Sequence, residues 1–171
     1  MKTEYKENWD FYFTEVEDSP ASVFVDLGLN RIKPVAKNPE LLTFFLEMQN
    51  PQENGFSSKQ EAETLFAIED KITPALKNIG AIFAGRMTYD GSRLLYYYLM
   101  DKKNAEKTID KIMNEFDDYE YSIEIEKDPK WEKYSDYLYP QGYELHTIMN
   151  RHIVEGLIEK GDSGEKPREV R

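Results

Sequence analysis

Cysteine is absent from all 171 residues, and with it go disulfide frameworks, thiolate metal sites and thiol nucleophiles. Histidine is nearly absent. The two that occur, His146 and His152, lie six positions apart on one predicted helix, about 240° apart around its axis, which excludes a paired metal site. Long apolar runs are also missing: residues 94–100 are typical of the longest, far short of the roughly 20 that span a bilayer. The first ten residues are too polar for a signal peptide. Basic charge is outweighed, with 22 Lys and Arg against 33 Asp and Glu, and the resulting −11 repels polyanions. No G-x-S-x-G elbow, P-loop, G-x-G-x-x-G or H-E-x-x-H occurs, so the corresponding hydrolases, nucleotide enzymes and metalloproteases drop out. These absences lead us to expect a cytoplasmic protein without cofactor, nucleic-acid partner or membrane partner.

What is present reads as one α+β domain over residues 1–160, followed by a polar tail or linker at 161–171 rich in Gly and alternating charge. Residues 9–16 place Trp9, Phe11 and Phe13 on one side of a period-two pattern, predicting a half-buried strand with those rings inward. Residues 21–29 alternate likewise, with Asp18-Ser19-Pro20 as turn, and complete an N-terminal hairpin. Residues 41–49 are apolar on both sides, as in a strand covered on two faces. Ser57 or Ser58 then caps a helix, with Gln60 or Glu61 closing the capping box, and its seam runs Leu65, Ile68, Ile72, Leu76. Asp90-Gly91 between two apolar runs predicts a second hairpin. Residues 103–116 repeat apolar positions at helical spacing, residues 119–127 alternate as a sixth strand, and residues 142–160 form a last helix. From the third strand the order is strand, helix, strand, strand, helix, strand: a ferredoxin-like split βαβ core with an antiparallel sheet and two helices on one face.

The acidic positions Glu115, Asp117, Asp118 and Glu120 end a helix instead of ringing a glycine-bearing turn, so they read as a solvated face. Those at the helix C-terminus oppose its dipole and call for a nearby Lys or Arg. The aromatic content is the unusual feature, with 12 Tyr, 9 Phe and 2 Trp. Tyr96-Tyr97-Tyr98 put tyrosines on both faces of one strand, and Trp131, Tyr134 and Tyr137 crowd the stretch before the last helix. Such residues bury large area while keeping a polar handle, so they either seal the sheet or form a half-wet interface. Arg86 and Arg93, on either side of the Asp90-Gly91 turn, fit an ion pair or a cation–π contact better than an anion site. The candidate interaction or pocket surface is therefore Arg86, Arg93, Tyr97, Trp131, Tyr134 and Tyr137, with no catalytic or metal residue assigned.

Several of these segments together resemble the bacterial family DUF695. They are Trp9-x-Phe11-Tyr12, Val25-Asp26-Leu27, Asn54-Gly55-Phe56, Gly85-Arg86-x-Thr88, Asp90-Gly91-x-Arg93, Asp128-Pro129-x-Trp131, Leu138-Tyr139-Pro140 and Pro167-Arg168. The resemblance implies no activity and no catalytic residues. In many members the module precedes a domain similar to the inhibitor of ribonuclease E, beginning just after the Pro-Arg motif, so this chain is expected to be either an excised first domain or a stand-alone module.

Three functions are then open. The first is a noncatalytic interaction or regulatory module presenting an acidic, tyrosine-rich surface to an unknown protein partner. The second is a small-molecule-binding or hydrolytic enzyme with a pocket between sheet and last helix, using Arg86, Arg93 or a buried carboxylate. The third is a homodimer or larger homo-oligomer that pairs its open sheet face.

Overall fold

The computed structural model describes residues 5–162, so the expected tail at 161–171 falls almost wholly outside the described residues. Within it the chain forms two compact units, divided after Tyr139, and each is taken by itself. The first contains six strands: β1 (Trp9–Val16), β2 (Ser19–Asp26), β3 (Glu40–Glu47), β4 (Ile82–Tyr89), β5 (Ser92–Leu99) and β6 (Tyr121–Lys127). Its helices are α1 (Lys59–Lys77) and α2 (Lys102–Met113). The second unit holds α3 (Gly142–Asp162).

All six strands lie in one antiparallel sheet in the order β1-β2-β4-β5-β3-β6. Because β5 sits between β3 and β4, the two strands joined by α1 run parallel without touching. The N-terminal hairpin extends the sheet beyond β4. Its turn is Glu17-Asp18, both at positive φ (50° and 65°), which gives a tight two-residue connection one position earlier than the Ser-Pro signal suggests. Asp90 and Gly91 repeat that geometry between β4 and β5 with φ of 48° and 76°.

Period-two alternation decides which side chains meet the helices. Leu42, Phe44 and Leu46 of β3, Phe83 of β4 and Leu95, Tyr97 and Leu99 of β5 join Leu65, Ile68, Ile72 and Leu76 of α1 and Ala105, Ile109 and Met113 of α2 in a single core. Both helices thus cover the same face. Ser58 caps α1 by accepting from the Glu61 amide at 3.2 Å. The Glu61 carboxylate does not return to the serine; it accepts from Gln49 N–H, Asn50 N–H and the Tyr119 hydroxyl, tying α1 to the two segments that flank it. Lys71 pairs with Glu115, supplying the cation called for at the acidic end of α2.

One local reading differs, and one stretch without an assigned element takes a defined form. The second strand stops at Asp26 and not at residue 29, because the Asp26 carboxylate accepts from Gly28 N–H and caps a 3₁₀ turn, Leu27–Arg31. The aromatic stretch before α3 is a π-helical turn, Tyr134–Leu138, closed by Tyr139 N–H on Tyr134 O at 2.7 Å.

Candidate functional site

The six expected surface residues divide between the two faces of the sheet. On the helix side, Tyr97 is fully buried, stacked on Phe83 at 4.9 Å with its hydroxyl 2.7 Å from Thr73 Oγ1. Arg86, on the same side, lays one nitrogen against both Glu69 oxygens at 2.9 and 3.0 Å and its guanidinium over Phe24 and Phe66 at 4.6 and 5.0 Å. Arg93 is buried beside it, its Nε donating to Thr88 Oγ1 at 3.3 Å and its plane under Phe66 at 4.9 Å. The ion pair and cation–π contacts expected of the arginines are therefore both present.

On the other face, Trp131 is fully buried, stacked on Tyr98 at 3.9 Å and donating from Nε1 to Asn38 O at 2.9 Å. Its φ of 57° lies in the left-handed region, an uncommon conformation for a bulky side chain. Tyr134, also buried, donates its hydroxyl to Asp26 O and its amide to Tyr98 Oη. Tyr98 in turn donates to Asp128, whose carboxylate also accepts from Glu132 and Lys133 N–H. Tyr137 alone of the three on this face is exposed, with Lys133 Nζ 4.1 Å over its ring. Tyr97, Trp131, Tyr134 and Arg93 accordingly cannot line an outer surface. They are interior because β4 and β5 are covered on both faces, which the sequence pattern left open.

Burial pushes the phenols of Tyr96, Tyr97, Tyr98 and Tyr134 well above the usual tyrosine range. They are neutral groups at physiological pH and supply no nucleophile. Burial, with the neighbouring Arg86 charge, pulls Arg93 down to about 10, which still leaves it a cation near neutrality.

The exposed aromatic surface lies where the alternation predicts core. On β1 the covered side is Asp10 and Tyr12, the latter donating to Leu138 O at 2.7 Å, whereas Phe11 and Phe13 are 41% and 64% exposed. Phe11 meets Phe13 edge-on at 5.9 Å, Phe13 reaches Phe56 at 6.4 Å, and Trp9 stacks on Phe24 at 4.9 Å. The patch thus runs from the hairpin edge toward Arg86. At that edge the Asp10 carboxylate accepts from Phe11 N–H at 2.8 Å, occupying a backbone donor that an added strand would use.

Among the described residues, no helix is long and apolar enough to cross a membrane. A family model described as a family of unknown function (DUF695) matches residues 7–139. No curated protein and no solved structure matches.

Proposed function

This chain belongs to DUF695, a family of unknown function, and from that premise we propose that it is a cytoplasmic, noncatalytic protein-interaction module whose contact face is the phenylalanine surface of the N-terminal hairpin. The observation that carries this reading is the exposure of Phe11 and Phe13, adjacent on the outermost strand and continuous with Phe56. Large apolar side chains left out of the core in a contiguous group mark contact surfaces more often than single exposed ones do. This face is built from phenylalanines and not from the buried Tyr97 and Tyr134, and phenylalanines bring area and shape but no hydrogen bonds. With a charge of −11, the partner expected is a protein offering an apolar anchor flanked by Lys or Arg.

The test is affinity capture with the intact chain beside a Phe11→Ser/Phe13→Ser variant whose melt is unchanged. The reading requires a partner bound by the first and lost by the second. Identical capture by both overturns it. Sedimentation of the two proteins identifies the case in which the partner is a second copy, since the wild type would then be dimeric and the variant monomeric.

A further inference from the structure

Arg93 stands opposite Thr88 on β4 and Leu46 on β3, on the helix-facing side of the sheet. It is 6% exposed, and its Nη1 is buried with no hydrogen-bond partner among the described residues. The two carboxylates that act on it electrostatically are committed elsewhere. Glu69 gives both oxygens to Arg86, and Glu61 gives its two to Gln49, Asn50 and Tyr119. Glu61 and Glu69 together offset the two guanidinium charges beneath α1, but only Arg86 has a carboxylate in hydrogen-bond contact, which leaves Arg93 without a counter-ion in contact. Phe66 touches both cations, at 4.9 and 5.0 Å from their central carbons, while 40% of the residue faces solvent. A ring face attracts a cation but cannot satisfy a guanidinium N–H lying in its own plane.

Buried donors in folded proteins are almost always paired, so an unpaired charged one points to a missing acceptor. The planar fork of arginine matches the two oxygens of a carboxylate. A phosphate dianion would bring twice the negative charge of a carboxylate to a cluster whose cations Glu61 and Glu69 already offset. We propose that Arg93, with Arg86 and Phe66, forms a binding site for a single carboxylate group, reached when the Phe66 ring swings outward. The group belongs to a small organic acid or to an acidic side chain of a bound peptide; the recognition chemistry is the same. Nothing in this depends on the hairpin face binding a protein.

The test is a titration of the intact chain with sodium acetate, following the arginine Nε–H signals by nitrogen NMR, against sodium chloride at matched ionic strength. The Arg93 signal is expected to shift saturably with acetate and not with chloride. In Phe66→Ala, which no longer has a cover to displace, saturation should come at about threefold lower acetate or less. An N-acetylated, C-amidated Gly-Glu-Gly peptide separates the sources: tighter saturation than acetate assigns a peptide side chain, equal or weaker saturation a small acid. The same unsaturating drift with acetate and chloride, in wild type and Phe66→Ala alike, means that water alone meets Nη1 and overturns the proposal. Saturable acetate shifts that persist in a folded Arg93→Met variant, read on Arg86, also overturn it.

Discussion

Strands β1 and β5 are both rich in aromatics, yet the structure treats them in opposite ways. Tyr96, Tyr97 and Tyr98 of β5 carry polar hydroxyls and are 0–2% exposed; Phe11 and Phe13 of β1 carry none and are 41% and 64% exposed. Side-chain polarity alone predicts the reverse. Position in the sheet decides it. On its helix-facing side β5 lies under α1 and α2, whereas β1 lies two strands beyond β4, about 10 Å further out, where Trp9 still packs against the core but Phe11 and Phe13 are left uncovered. Two of these tyrosines can be interior because their hydroxyls have hydrogen-bond partners, Thr73 for Tyr97 and Asp128 for Tyr98.

If the comparison is right, the largest loss comes from the side opposite the helices. Trp131 fills the space against Tyr98 and Tyr134 and links them to Asn38. Trp131→Ala should lower stability by about 3–5 kcal/mol through lost burial and the cavity left behind. Urea unfolding measures it, and an unshifted midpoint would show that this face is not core.

Next comes Tyr98→Phe, which keeps the ring but removes the donor to Asp128 and the acceptor of Tyr134 N–H. A loss of about 2 kcal/mol is expected, since a buried carboxylate and a buried amide each lose a partner. A change below about 0.5 kcal/mol would mean that β5 tolerates its hydroxyls and makes no use of them.

Alkaline pH tests the burial of the β5 tyrosines without mutation. The β5 tyrosines are raised above their unfolded value of about 10, so the protonated phenol is favoured in the folded state. That contribution is complete below about pH 10 and is lost as pH rises from there toward the folded values, by about 1.4 kcal/mol per pH unit for each such tyrosine. Tyrosinate absorbance should therefore rise in two stages, the exposed tyrosines first and the β5 set only with unfolding. Titration of all 12 tyrosines in a single step in the folded protein would contradict their burial.

The same comparison marks what could be read in advance. Both hairpins, the capped helix α1 and the amphipathic α2 were legible because capping, turn chemistry and periodicity are local, and Ser58, Asp90-Gly91 and the Leu65-to-Leu76 seam carry them. Alternation also placed Trp9, Phe11 and Phe13 on one side correctly. It could not say whether that side is covered, because covering depends on strand order, which is nonlocal. The sign lay in Asp10 and Tyr12: a strand whose polar positions are the buried ones needs acceptors from a distant segment, here Leu138, 126 residues away. Arg93 was legible as a cation–π residue but its unpaired Nη1 was not, since only the assembled fold puts Glu69 on Arg86 and leaves Arg93 without an acid in contact.

The smallest effect is the most discriminating. Phe13 is 64% exposed and Tyr12, one residue before it, 5%. Phe13→Ser should change stability by no more than about 0.5 kcal/mol, as for surface substitutions that touch neither core nor cap. Tyr12→Phe, a far milder change chemically, should cost about 1 kcal/mol by leaving Leu138 O without the hydroxyl it accepts from. Thermal melts of the two variants side by side decide it. If Phe13→Ser proves the more damaging, the hairpin face is packed in solution, and the aromatic surface proposed for a partner is not available. If the order holds, the Phe11 and Phe13 substitutions remove contact area without disturbing the fold, and any binding they abolish is lost at the surface itself.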